Sequence, residues 1–311
     1  MTDKKIKLAI LGGIIGLMLM LTIFIYRLAV NINIPRIEFA ESESLPNIAE
    51  NKPLIWFGVI SRYNPQMIYK GYQPLIDYLS EHTPYRFELR LSSDYEESVR
   101  QLERGEADLA FLGSLIYARR RQLSHLQCIL KPLNRDGEPL FYSALISRID
   151  SPVKALSDLR GKRIALPSRH SWSGNWLLDT LQNSGIAVTE LGRIDYFPYH
   201  HTVLYQALRG DYDAGVVKDR VWREYSGKDM RVIMLSDAVP GSPIVVRKGV
   251  DDALVLAVKK ALLAIDSQKP AFQLMLSDWD EEFRNGFAPA NDSDYDGLEF
   301  PVAQKADADE D

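Results

Sequence analysis

Short apolar runs alternate with amphipathic stretches, and they do so twice along the chain; this rhythm most narrows the folds open to it. Residues 54–60 (LIWFGVI), bounded by Pro53 and Ser61, read as a buried strand. In residues 69–82, Tyr72, Leu75, Ile76 and Leu79 fall at helical spacing. Phe87, Leu89 and Leu91 alternate as in a second strand. Asp94 is placed to cap a helix over 95–104 that stops at Gly105. Residues 107–112 (ADLAFL) form a third short strand, after which Gly113-Ser114 opens a helix carrying Tyr117. A βαβαβα order calls for parallel strands covered by helices.

The order breaks after His125, where 128–133 and 140–147 read as strands about a turn at Asp136-Gly137, and then resumes. A helical turn stops at Gly161, followed by a strand over 163–166 and a helix over 173–184 ending at Gly185. A strand over 193–197, a helix over 202–209 ending at Gly210 and a strand over 214–217 follow. Strands at 232–235 and 244–246 and helices at 251–266 and 271–276 close the chain. The reading is two α/β lobes, one from 54–143 plus 235–289 and the other from 144–234. Ligands of such sheets bind at the carboxyl ends of strands, beside helix amino termini, so facing lobes would share a cleft.

Composition fits a globular body: 46% of residues are hydrophobic and 25% charged. The formal net charge of −5 argues against nucleic acid as a partner. Residues 290–311 hold eight acids against the single base Lys305 and read as a disordered acidic tail. One cysteine, Cys128, excludes an internal disulfide framework and a multi-thiolate zinc site, and five histidines leave little for a metal cage. Cys128 sits in an apolar strand and reads as a buried, inert thiol, and Arg119-Arg120-Arg121 as a solvated helix face.

The amino end is different in kind. Residues 8–26 (LAILGGIIGLMLMLTIFIY) are nineteen without a charge. As a helix they would reach roughly 28 Å, close to the roughly 30 Å of bilayer hydrocarbon. Lys4, Lys5 and Lys7 precede them, so the positive-inside rule keeps 1–7 in the cytoplasm and sends the rest across. The expectation is a transmembrane anchor over 8–28 and a polar linker over 29–53. A cleaved signal peptide, which would leave a soluble periplasmic protein, and a buried core helix are the alternatives.

Three loops carry the candidate chemistry, each between a strand and a helix. Ser168-Arg169-His170-Ser171-Trp172-Ser173-Gly174 offers hydroxyls and unbonded helix-start amides to an oxyanion, or is a plain helix cap. Tyr199-His200-His201 offers an imidazole N–H; adjacent residues seldom point one way, which argues against metal binding by both histidines. Gly113-Ser114-Leu115-Ile116-Tyr117 offers a helix start and a phenol, or core packing. No nucleophile elbow, zincin, Walker or dinucleotide motif is present.

In their order and spacing, several pieces together resemble one family. They are Phe57-Gly58-Val59, Tyr72-Gln73-Pro74-Leu75, Gly105-Glu106-Ala107-Asp108-Leu109-Ala110, Asp158-Leu159-Arg160-Gly161-Lys162, Ser171-Trp172-Ser173-Gly174, His200 and Gly210-Asp211-Tyr212-Asp213-Ala214-Gly215. The chain resembles the PhnD-like phosphate/phosphite/phosphonate-binding proteins of ABC importers over roughly residues 54–276. The resemblance implies a two-lobed type II periplasmic-binding-protein fold (Venus flytrap), here preceded by one amino-terminal transmembrane helix. It implies capture of a small oxyanion between the lobes by Ser114, Tyr117, Ser171, Trp172, Ser173, Gly174 and His200, with no catalysis, cofactor or metal. The family usually shows Ser-Thr-Ser-Gly, so Trp172 replaces a hydroxyl by a ring, and His201 stands where an acid is common. The expected partners are an ABC permease or, alternatively, a sensor histidine kinase. The expected place is the periplasmic face of a bacterial inner membrane. An enzyme on this fold is the rival from another class.

Overall fold

The computed structural model describes residues 16–22, 52–60, 65–223, 225 and 229–298. The chain falls into two units, residues 1–50 and 51–311. In the first, residues 16–22 are helical and exposed. The rest of the expected anchor 8–28, the amino end 1–7 and most of the linker 29–53 lie outside the described residues. Among the described residues no helix is long and apolar enough to cross a membrane.

The second unit opens with β1 (Leu54–Val59), α1 (Pro65–His82), β2 (Arg86–Leu91), α2 (Tyr95–Glu103), β3 (Leu109–Phe111), α3 (Ser114–Arg120) and β4 (Gln127–Pro132). Then come β5 (Leu140–Phe141), β6 (Ser143–Arg148), β7 (Arg163–Pro167), α4 (Trp172–Asn183), β8 (Arg193–Phe197), α5 (His200–Arg209), β9 (Ala214–Lys218) and α6 (Asp219–Arg223). The chain returns through β10 (Met230–Leu235), β11 (Val239–Pro240), β12 (Ile244–Val246), α7 (Asp252–Leu263), α8 (Pro270–Leu276) and β13 (Phe287–Pro289).

These strands form two principal sheets. A six-stranded sheet runs β13-β4-β12-β3-β1-β2, and a five-stranded sheet runs β10-β6-β9-β7-β8. In each, the α/β rhythm produces a parallel trio with the first strand central: β1 pairs with β2 and β3, and β7 with β8 and β9. Antiparallel strands, β12 and β6, then pair on β3 and β9. The two segments that carry the chain between the sheets pair with each other as β5 and β11, a short antiparallel ladder. A thin two-strand connection between two stiff sheets is the geometry of a hinge.

Apolar spacing explains the packing. In the first lobe Tyr72, Leu75, Ile76 and Leu79 of α1 bury against Phe57 and Phe111 of the sheet, with the Tyr72 and Phe283 rings edge to face at 4.9 Å. In the second, α4 buries Trp176, Leu177 and Leu181 on one face of the sheet, while α5 buries Val203, Leu204 and Ala207 on the other. A Cβ at Gly215 would come within 2.8 Å of Val203 Cγ1, so glycine sets how closely α5 seats on β9. Gly210 ends α5 in the left-handed region at φ +80°, as a helix stop requires.

Three expectations change. The strand read over 140–147 is two, broken at Tyr142, whose backbone N–H donates to the Asp219 carboxylate and whose carbonyl accepts from the Asp219 amide. His200 and His201 begin α5 instead of preceding it. The acidic end is not all unpacked tail. Ala290 and Tyr295 are buried, the Tyr295 hydroxyl donates to Gly241 O at 2.7 Å, and Asp294 meets Lys131 Nζ at 2.8 Å. Arg121, read as solvated, donates to the Asp292 carbonyl and pairs with Asp296, so this charge run has matched basic partners and an aromatic anchor. Residues 299–311 lie outside the described residues.

Candidate functional site

The parallel strands of both sheets end at one narrow cleft between the lobes. The loop after β7 brings Ser171, Trp172 and Ser173, α5 brings His200, and β9 ends in Lys218. The opposite wall is Gly113 and Ser114 at the start of α3 and Tyr95 at the start of α2. Phe141 of the hinge ladder forms the back.

The amino ends of α4 and α5 supply a partial positive charge and backbone amides with no intrahelical acceptor. Ser171 occupies the cap position of α4, yet its hydroxyl makes no capping bond. Its Oγ lies 3.4 Å from His200 Nε2. His200 Nδ1 accepts the Lys218 backbone N–H at 3.3 Å, so in the neutral ring the proton belongs on Nε2, directed at Ser171 Oγ. Ser171 then accepts from the ring, and its own proton is left to donate. Ser173 Oγ accepts from the Ser143 hydroxyl at 2.6 Å, which likewise leaves the Ser173 proton to donate. The Ser143 amide in turn donates to Ser236 Oγ at 2.9 Å, fixing that relay. The Asn175 side-chain amide donates to Arg169 O at 2.7 Å and Ser171 O at 2.8 Å, which holds the loop against the helix start. The result is a set of polarised donors fixed before any guest arrives, as oxyanion recognition requires.

Not every expected residue joins this set. Ser114 lines the cleft, but its hydroxyl donates to Pro240 O at 2.8 Å, which leaves the side chain as an acceptor there. Trp172 presents its ring, edge to face with Phe141 at 6.0 Å. Gly174 is buried in the first turn of α4 and can act only through its backbone; a Cβ there would make ordinary contacts with Pro167. Tyr117 lies away from the cleft. It is fully buried, its hydroxyl donates to Asp292 Oδ1 at 2.5 Å and accepts the Cys128 amide at 2.9 Å, and burial pushes its pKa well above the usual phenol range. It is the bolt that docks the acidic carboxyl end. Tyr117→Phe should therefore lower unfolding stability by about 1 kcal/mol in a denaturant titration and leave oxyanion affinity within about twofold. A large loss of affinity in a folded variant would return Tyr117 to the site. Burial also pushes the Cys128 thiol up to about 12, as befits an inert group.

The residue that sequence reasoning passed over is Lys218. Its ammonium donates to Glu282 Oε1 at 2.9 Å and to Ser242 Oγ at 3.3 Å, and lies 4.3 Å from the centre of the Phe141 ring. The signal was available, because Lys218 ends β9 just as the two expected loops follow β7 and β8. At the mouth, His170 faces Glu96 at 3.5 Å and stacks on Tyr95 of the other lobe. Two larger openings lie nearby. Carboxylates line both, and their arginines are tied down, Arg135 by Glu281 and Arg220 by Glu282. Carboxylates offset most of the basic charge there, three against four Lys and Arg side chains in each opening. His201 faces the larger opening while His200 faces the cleft, so the pair shares no ligand.

Residues 57–295 match the family described as "ABC transporter, phosphonate, periplasmic substrate-binding protein". The chain is 22% identical to the phosphonates-binding periplasmic protein of Escherichia coli over 65% of its own length and 63% of that protein's, somewhat under two thirds of the relative. It is 25% identical to the phosphate-import protein PhnD of Mycolicibacterium smegmatis, over 78% of this chain and 83% of that one. Its fold superposes with a TM-score of 0.71 on PhnD1 of Prochlorococcus marinus solved with methylphosphonate, at 16% identity, covering 82% of this chain and 98% of that one. These relatives are binding proteins, not enzymes. The two lobes, the hinge and the match over 57–295 lead to one assignment: the chain belongs to the family of periplasmic substrate-binding proteins of phosphonate ABC transporters.

Proposed function

We propose that this protein captures a phosphonate or phosphate-like oxyanion in the cleft at the amino ends of α4 and α5 and presents it to an ABC importer. The observation that carries this reading is the convergence of Ser171 and Ser173, each left with a proton to donate because its oxygen already accepts, from His200 in the one case and Ser143 in the other. Such donors replace part of the hydration shell of an anion at little further ordering cost. Tyr95 and the α3 amino end already face the donors, so hinge bending at β5 and β11 would open the cleft to admit the guest, and the reclosed form is what a permease would read. Residues 8–26 would hold the protein at the periplasmic face of the membrane as a single-pass anchor with the amino end inside.

Titration calorimetry of the folded protein with phosphate, phosphite and methylphosphonate is the test. Saturable binding of at least one, competed by the others in proportion to their similarity, is the expected result. Absence of binding for all three would exclude the ligand class.

A further inference from the structure

Resting on that reading, we infer that Lys218 restricts the cleft to oxyanions whose other substituent carries no positive charge, and that Lys218 itself sets this preference. The cleft has donors for an oxyanion on one side, but a site is also defined by what faces the rest of the guest. Among the described residues lining it, the ionisable groups are Tyr95, His170, His200 and Lys218, and none is a carboxylate; Glu96 at the mouth is engaged by His170 and Arg120.

The Lys218 ammonium is held there firmly. Its side chain is 7% exposed, and Glu282 and Ser242, both from the opposite lobe, fix its position. Lys218 lines both this cleft and the neighbouring opening, whereas Glu282 lines only the latter. Phe141 and Trp172 complete the wall with ring surface. An ammonium on the guest would face the Lys218 ammonium beside ring surface, where repulsion is less screened than in water and Glu282 offsets part of it. An alkyl group would meet the rings without penalty, and an additional anionic oxygen would gain from Lys218.

Propylphosphonate and 2-aminoethylphosphonate test this, because they match in length and differ by one positive charge. Calorimetry should show propylphosphonate binding at least about tenfold tighter. Lys218→Met should bring the ratio toward one, chiefly by raising the relative affinity for the aminated compound. Because that variant takes the ammonium away from Glu282, the pair Lys218→Met with Glu282→Gln provides a second, charge-balanced background for the same ratio. Equal or tighter binding of 2-aminoethylphosphonate to the unaltered protein overturns the inference while leaving oxyanion capture standing, as does an unchanged ratio in both variants. If neither compound nor phosphate binds the folded protein, the function proposed above fails and takes this inference with it.

Discussion

Replacing Ser171 and Ser173 together by alanine is expected to weaken methylphosphonate binding by about 100-fold or more. Each hydroxyl donates to a charged oxygen, an interaction of about 1.5–3 kcal/mol, and about 2.7 kcal/mol is a hundredfold in affinity. The competing view of Ser171 is a helix cap. A cap would cost about 1 kcal/mol of stability on truncation and would not touch affinity. The structure favours the first view, since the Ser171 hydroxyl makes no capping bond and sits beside His200 instead. Some stability should still go, roughly 1 kcal/mol, because the buried Ser143 hydroxyl loses its acceptor at Ser173. Calorimetry and thermal unfolding on the same sample separate the two outcomes. Affinity within about threefold of the unaltered protein, with the fold intact, would remove the serines from the site.

Glu282→Ala should be among the most destabilising single changes in the molecule. Its carboxylate lies 2.9 Å from Lys218 and 3.3 Å from Arg220, both on the other lobe, and its side chain is 8% exposed. Truncation takes the shared counter-charge from two cations at a buried seam, which costs about 3–5 kcal/mol. For a chain of this size that corresponds to a fall of about 10 °C in Tm. The effect belongs to desolvated charge and not to lost packing volume, so Glu282→Leu should do no better. A Tm within about 2 °C of the unaltered protein would show that water reaches the seam and that the ion pairs there contribute little.

The parts of the fold that were legible in the sequence share a cause. Periodicity reports which face of an element is buried, and β1 to α3 and β7 to β9 are elements whose burial follows from their own residues. Asp94, read as a cap, accepts the Glu97 amide at 2.7 Å as that reading requires. What periodicity does not carry is pairing across long separations. Tyr117 has the spacing of a ligand phenol, but its partner Asp292 lies far along the chain, in a run whose composition reads as tail. The same blindness hid Lys218: a lysine after four small apolar residues looks like a strand simply ending in water, and only Glu282 and Ser242, brought in by the return segment, make it a buried group. Ser171, Ser173 and His200 were legible because each sits where a parallel strand gives way to a helix, a position whose chemistry is local.

The most direct test of the account is a crystal structure of the protein with methylphosphonate. The phosphonate oxygens are expected within about 2.7–3.1 Å of Ser171 Oγ, Ser173 Oγ, His200 Nε2 and the first amides of α4, with Tyr95 and Ser114 facing them from the other lobe. A phosphonate seated instead among Lys70, Arg135 and His201 in the larger opening, with the serines and His200 left to one another, would contradict it.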